Sequence, residues 1–453
     1  MVAAQFMFVV DAFIVNVAIP SIRADLTATG SQIEAVVAVY QIAYATLLIT
    51  GGRLGDIYGR KRLFLVGLLG FTAASLWCGI ASSALTLIAA RGAQGAAAAL
   101  MVPQVLASIQ SLFPTEERAR AFGVFGIALG LGGAVGLMLG GWLVSLDFHG
   151  LGWRSAFLVN LPVGILTAAG ATGLVPALET PTQARLDLPG VGILVTATLL
   201  ILGPILFGQD LGWPWWGWSV LAIGFTVLAA FLQVENTIGQ HGGDPLLNVA
   251  MLRDSALLVG LGATFSFYIG VTSFLLVLTL FLQNGLGFSA LKAGLASGPL
   301  AIAFLISSRI GVRISMPKVP GMMMAGCGFL AIALACLAAL VCVIPNPSIL
   351  VLAGPLALYG FGQGLVMAPL VNTVLAKATR VPAGAASGVL ITTQQIAGAT
   401  GIGLIGSIYF AVRDAFHNGP DRMALLASIV ALIAMACTAI WLLAQLRVEG
   451  AKL

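Results

Sequence analysis

Fourteen apolar stretches, most about as long as the ~20 residues a helix needs to cross a bilayer, run from end to end of the chain with short polar connections. In hydrocarbon no backbone polar group can be left without a partner, so stretches of this kind must be helical. They fall near 2–22, 32–52, 63–82, 86–112, 121–146, 155–175, 189–208, 217–236, 255–283, 290–312, 320–343, 349–376, 385–411 and 423–445. Only 8% of the residues are charged, against roughly 25% in a soluble domain. The fold class is therefore an all-α polytopic membrane protein with fourteen transmembrane helices. The net charge of +5 belongs to the connections and implies no nucleic-acid partner.

Charge also orients the chain. With the N-terminus inside, fifteen of the 21 Lys and Arg fall on cytoplasmic connections, five fall outside, and Arg91 is left within a span. Such an inward bias with an even number of spans places both termini in the cytoplasm of a multi-pass inner-membrane protein. The first apolar run contains Asp11 and lacks a basic leader, so no cleavable signal is expected. Tryptophans between Gly208 and Trp218 suit an outer interfacial belt. The five cysteines all lie in apolar runs and read as small core residues.

An internal repeat is visible. Gly132 to Gly141 (GGAVGLMLGG) and Ala397 to Gly406 (AGATGIGLIG) align at an offset of 265 residues. Ser307 to Arg313 (SSRIGVR) echoes Gly51 to Ile57 (GGRLGDI). The expected organisation is a six-helix bundle over 1–175, two inserted helices with a linker over 176–254, and a second six-helix bundle over 255–453. Repeats of this kind build many secondary transporters, with the site near mid-membrane.

The densest basic knot is Gly51 to Arg62, GGRLGDIYGRKR. It reads as a short cytoplasmic loop in which Gly55 and Gly59 close the turn and Asp56 is shared by Arg53 and Arg60, three and four residues away; Arg62 completes the group. A topology anchor and a conformational gate are both open readings. Asp11 stands in the first span and Arg91 in the fourth. A charge near mid-bilayer costs about 2.5–3.5 kcal/mol on insertion scales, so each needs a wet interior or a partner. Arg91 keeps its charge and can drive a proton off a nearby carboxylate, one way to couple a substrate to H⁺. Hydrogen bonding to neighbouring helices is the structural alternative for both. Glu34 opens the second span and reads as a solvated edge, with a place beside Asp11 and Arg91 as the alternative. Tyr40, Gln41, Tyr44, Gln94, Gln104, Gln363, Asn372 and Gln394 are polar positions in spans, serving interhelical bonds or a cavity. Gly132, Gly136, Gly140 and Gly141 make a flat face for close helix packing.

The chain has no Walker A loop, no H-E-x-x-H and no G-x-S-x-G elbow, so neither an enzyme nor a cofactor is expected. A TVGYG-like filter is absent too.

With these motifs laid out, the chain resembles the major facilitator superfamily along essentially its whole length. GGRLGDIYGRKR is similar to that family's loop between helices two and three, and ARGAQGAAAA (Ala90 to Ala99) to its fourth-helix motif. VVDAFIVNVAIP (Val9 to Pro20) and GWRSAFLVNLPVG (Gly152 to Gly164) resemble signatures of the fourteen-span drug:proton antiporter branch, DHA2. The resemblance implies a proton-driven exporter of hydrophobic or amphiphilic small molecules, acting as a monomer in the lipid bilayer by alternating access. It implies that Asp56 and the loop arginines lock the conformational cycle, and that Asp11 and Arg91 couple protons or sense substrate. Leu137 stands where the branch's fifth-helix motif has Pro, so a stiffer helix is expected. The second half lacks an obvious intramembrane carboxylate, which favours a neutral, amphiphilic or anionic substrate. A dedicated exporter of one lipid, metabolite or antibiotic is the nearest alternative, and a non-transporting membrane sensor a remote one.

Overall fold

The computed structural model describes residues 1–112, 115–147, 150–176, 188–208, 211–241, 249, 254–313, 319–377, 383–415 and 421–450. The connections expected near 176–188 and 237–254 lie largely outside them. The first series is α1 (Val2–Asp25), α2 (Gly30–Tyr58), α3 (Arg60–Gly79), α4 (Ala84–Leu112) and α5 (Thr115–Leu146). A 3-10 turn (Gly152–Arg154), α6 (Ser155–Leu158) and α7 (Asn160–Leu174) follow, then the pair α8 (Leu188–Phe207) and α9 (Trp215–Gln240). The second series is α10 (Ser255–Leu280) with a π turn (Phe281–Gly285), α11 (Ala290–Ala296), α12 (Gly298–Arg313), α13 (Val319–Val343), α14 (Ile349–Lys377), α15 (Ala383–Ala415) and α16 (Asp421–Gly450). Thirteen described helical stretches are long and apolar enough to cross a membrane, and the Val135–Leu146 part of α5 lies where the remaining span is expected.

Two spans drawn as continuous are broken near their starts, at Val159 and at Ser297. Pro162 and Pro299 follow within the next turn. Without an amide hydrogen, each fits the first turn of the helix that follows, where no i→i−4 bond is lost, whereas Pro103, Pro204 and Pro355 are carried inside continuous helices. A second difference concerns the basic knot. α2 runs through Tyr58, so most of GGRLGDIYGRKR is helix, and the chain turns on Gly59 alone, at φ 92°. Gly55 serves packing instead of the turn: a Cβ there would land on the Gln104 amide. Helix starts are set by side chains where they lie in polar connections. Thr29 and Gln32 form a capping box at α2, and Asp254 caps α10 through the Ala256 and Leu257 amides.

The chain divides into two compact units, Met1–Leu247 and Asn248–Leu453. In the first, small residues bring helices into backbone contact. A Cβ on Gly51 would strike Ala99 O of α4, and one on Gly95 would strike Tyr40 O of α2. Gly67 seats α3 against Met101, and Gly132, Gly136 and Gly140 seat α5 against Val9, Val10 and Ile14 of α1. Leu137 is buried within an unbroken α5. The α8–α9 pair packs on α2 within the first unit, where Leu194 and Phe231 meet Ile49. The second unit repeats the scheme: α12 packs on α14 at Gly360 and Gly364, α13 on α14 at Gly326, and α10 on α15 at Gly401.

Outward-facing apolar residues such as Leu166, Leu174, Phe225, Leu350 and Val430 are exposed, as surfaces in contact with lipid tails require. Cys336, Cys342 and Cys437 belong to this outer surface; only Cys78 and Cys327 are the core residues that the sequence suggested for all five. Trp215, Trp216 and Trp218 are exposed at the start of α9, with Trp218 stacked on Trp213.

Candidate functional site

Within the first unit, Asp11 of α1 and Arg91 of α4 meet in the interior with side chains 0% and 1% exposed. Arg91 Nη1 donates to Asp11 Oδ2 at 2.7 Å and to Gln94 Oε1 at 2.6 Å. Its Nε donates to Val36 O of α2 at 3.2 Å, and its guanidinium lies 4.0 Å from the centroid of the Tyr40 ring. Gln94, one helical turn on from Arg91, turns its Nε2 to Asp11 Oδ1 and to Ser75 Oγ of α3, both at 2.8 Å. Asn160, the first residue of α7, donates to Asp11 Oδ1 at 2.7 Å and to Ser75 Oγ at 3.3 Å. Cys78 Sγ reaches Gln94 Oε1 at 3.7 Å. Five helices thus converge on the network around the Asp11–Arg91 pair.

Each charged group has its complement. The carboxylate accepts three N–H donors, and the cation is matched by one anion, two carbonyl-type oxygens and an aromatic face. Such completeness is what a buried ion pair needs, because the desolvation of two charges otherwise exceeds their attraction. The arrangement holds a charge pair in the interior and presents one carboxylate, that of Asp11, beside the fixed charge of Arg91.

The sequence singled out Asp11, Arg91, Gln94 and Tyr40, and the structure brings them together. Ser75, Cys78 and Asn160 were missed; Asn160 lies inside the GWRSAFLVNLPVG motif. Asn16 lies off the site, its amide bonded to Ala12 O and Phe13 O of its own helix. Tyr44 is buried against Phe8 and Gln41 is half-buried. Glu34, read as a solvated edge, is buried, because the second span starts one turn before it and is enclosed from that turn onward.

A second constellation surrounds the basic knot. Arg60 grips Asp56 through Nη2 (3.0 Å) and Nε (3.3 Å), and its Nη1 donates to Ala107 O of α4 at 2.9 Å. Lys61 Nζ donates to Thr172 O at the end of α7 at 2.8 Å, while Arg62 is exposed and Arg53 half-buried. Gln104 donates to Gly51 O at 2.7 Å, so this cavity candidate instead ties α4 to α2. At the far end of α1, Asp25 accepts Trp153 Nε1 (3.0 Å) and Arg154 Nη1 (2.6 Å). In the second unit Gln363 is buried, Gln394 half-buried and Asn372 exposed; among the described residues they do not join into a comparable network.

A model of the Major Facilitator Superfamily matches residues 1–402. This chain belongs to the major facilitator superfamily. Its relatives within the superfamily include a protein named as a probable actinorhodin transporter of Streptomyces coelicolor, 37% identical over 90% of this chain and 71% of the relative. A puromycin resistance protein of Streptomyces alboniger is 35% identical over 90% of this chain and 80% of its own. A cephamycin export protein of Amycolatopsis lactamdurans is 37% identical over 89% and 82%. Among solved structures, an auto-inhibited POT family peptide transporter superposes with TM-score 0.69 at 16% identity, covering 98% of this chain and 95% of that one. The human organic anion transporter MFSD10 gives 0.61 at 17% identity, over 97% and 98%. These likenesses show the facilitator fold of a multi-pass membrane transporter for small molecules.

Proposed function

We propose that this protein is a proton-coupled exporter of hydrophobic or amphiphilic small molecules, working by alternating access in the inner membrane with both termini cytoplasmic. The buried Asp11–Arg91 pair carries the reading. It supplies one titratable carboxylate, at the head of a helix-spanning network, beside a cation that cannot be neutralised. A proton arriving at Asp11 releases Arg91 from its counter-ion, and that imbalance gives the transporter two states of unequal energy for the proton gradient to drive between. The gradient is sufficient: about 2.3 kcal/mol per charge per 100 mV of potential, plus 1.36 kcal/mol per pH unit. No cofactor, metal or enzymatic step enters the cycle, and one chain carries the whole path.

Export as the direction follows from the relatives, which are named for resistance to or export of antibiotics. Several are named for a single compound, and this favours a second reading, export of one dedicated natural product. A competition profile separates the two: many unrelated compounds inhibit a multidrug exporter, whereas one saturates a dedicated exporter.

The test is proton movement in proteoliposomes holding an imposed ΔpH, with a panel of cationic, neutral and anionic lipophilic compounds. A compound should dissipate the gradient through wild type and fail to do so through Asp11→Asn. The variant is expected to fold with reduced stability, because Arg91 retains Val36 O, Gln94 Oε1 and the Tyr40 face but loses its counter-ion, at about 3–5 kcal/mol. Normal ΔpH-driven efflux by Asp11→Asn would sink the assignment.

A further inference from the structure

Every side chain that hydrogen-bonds Asp11 is a donor: Gln94 and Asn160 to Oδ1, Arg91 to Oδ2. Ser75 enforces this. Its Oγ sends its own hydrogen to Phe71 O at 2.8 Å and accepts the second amide hydrogen of both Gln94 and Asn160. Turning either amide over would set a carbonyl oxygen against the carboxylate. Both lone pairs of Oδ1 are thus taken, while Oδ2 faces the Arg91 cation, so a proton that binds on Oδ1, the oxygen turned from the cation, displaces Gln94 or Asn160.

The three partners differ in how firmly they are held. Arg91 is fixed by Val36 O and the Tyr40 ring, and has no acceptor to offer. Gln94 is held at both ends of its amide, its Oε1 taking Arg91 and Cys78. Asn160 is held through its nitrogen alone. It is also the first residue of α7, directly after Val159, the one-residue turn between α6 and α7. Its other neighbours on the motif, Trp153 and Arg154, are anchored to Asp25 at the far end of α1, so α1 and the sixth span are joined at two points and Asn160 is the one that a proton disturbs.

We propose that Asn160 is the positioning residue of the proton step: its amide steadies the ionised Asp11, leaves when Asp11 takes a proton, and passes that change to the start of α7. The proposal rests on Asp11 being the coupling carboxylate. The charged and titratable groups facing Asp11 are Arg91 of α4, Tyr40 of α2 and Cys78 of α3. The α5 stretch packed beside it, Gly132 to Gly140, carries none, and Arg154 at the other end of α1 is engaged by Asp25.

Infrared difference spectroscopy of the full chain in lipid nanodiscs, stepped through pH, tests this without a substrate. The carbonyl stretch of a protonated carboxylic acid that disappears in Asp11→Asn belongs to Asp11. Asn160→Leu, of similar size but without a donor, is expected to raise the midpoint of that band by about one pH unit, a tenfold gain in proton affinity. Asn160→Gln should restore part of it. Ser75→Ala, which frees both amides to turn, should move the midpoint the same way by less, and it stands in if Asn160→Leu does not fold. An unmoved midpoint in the folded variants would make Asn160 a packing residue and overturn the proposal while leaving Asp11 as the coupling site. If no band depends on Asp11 at any pH, the coupling reading falls and this proposal with it.

Discussion

A charged residue in an apolar run is conspicuous because burial makes it expensive, and this is why Asp11 and Arg91 could be read from the sequence while their companions could not. Asn160 and Ser75 are uncharged, cost little in a span, and resemble many other polar positions there. Nothing local indicates that Asn160 reaches a carboxylate 149 residues away. The same cost argument gives a test of the pair itself. Arg91→Gln keeps an amide near Gln94 but leaves the 0% exposed carboxylate without a counter-ion, at about 3–5 kcal/mol for a broken buried pair. Asp11→Asn in the same chain removes the orphan charge. Thermal unfolding in detergent should therefore show Arg91→Gln lowered by several degrees and the double variant recovering most of that loss. Equal melting of Arg91→Gln and wild type would mean that the pair is not dry.

At the scale of helices, length and hydropathy sufficed to place the spans, because the bilayer sets both. Breaks and close approaches are fixed by single residues, and those were read less well: Pro162 and Pro299 sit in the first turns of new helices, and Gly55 accommodates Gln104 where a turn was expected. The glycine face of α5 was legible as a packing surface, and the structure gives its register. A Cβ on Gly136 would lie 2.9 Å from Val10 O and 3.0 Å from Phe13 Cβ, whereas one on Gly133 would meet only the Phe13 ring at 3.5 Å. Gly136→Ala must push α5 away from the residue preceding Asp11, an overpacking cost of about 1–3 kcal/mol. Gly133→Ala should be close to neutral. Melting curves of the two variants side by side check this, and a Gly136→Ala protein as stable as Gly133→Ala would show that α1 and α5 are less closely seated than described.

Across the whole molecule, the repeat preserves backbone packing and changes the chemistry. Val10 meets Gly136 as Ile269 meets Gly401, so Gly270 occupies in the second unit the place that Asp11 has in the first. Gly95 seats α4 on Tyr40 as Gly360 seats α14 on Leu300, which sets Tyr359 opposite Gln94 and Leu356 opposite Arg91. Gly67 and Gly326 match in the same way, and Leu334 takes the place of Ser75. In the second unit these positions border a small void lined by Ser266, Gly270, Leu330, Leu334 and Tyr359, with Tyr359 stacked on Phe274 at 4.0 Å and its hydroxyl 3.5 Å from Gly270 O. Only two short sequence echoes, at offsets of 265 and 256 residues, hinted at the repeat, because glycine spacing is kept here while the residues facing the interior differ. The equivalence makes a strong prediction. Gly270→Asp inserts a carboxylate where the partner position is the fully buried Leu356, so it should destabilise the second unit by about the 3–5 kcal/mol of an unpaired buried charge. Adding Leu356→Arg rebuilds the ion pair that the first unit contains and should recover part of the loss in thermal unfolding. If Gly270→Asp is harmless alone, or Leu356→Arg only deepens the damage, the two units do not share a register at this level and the correspondence fails.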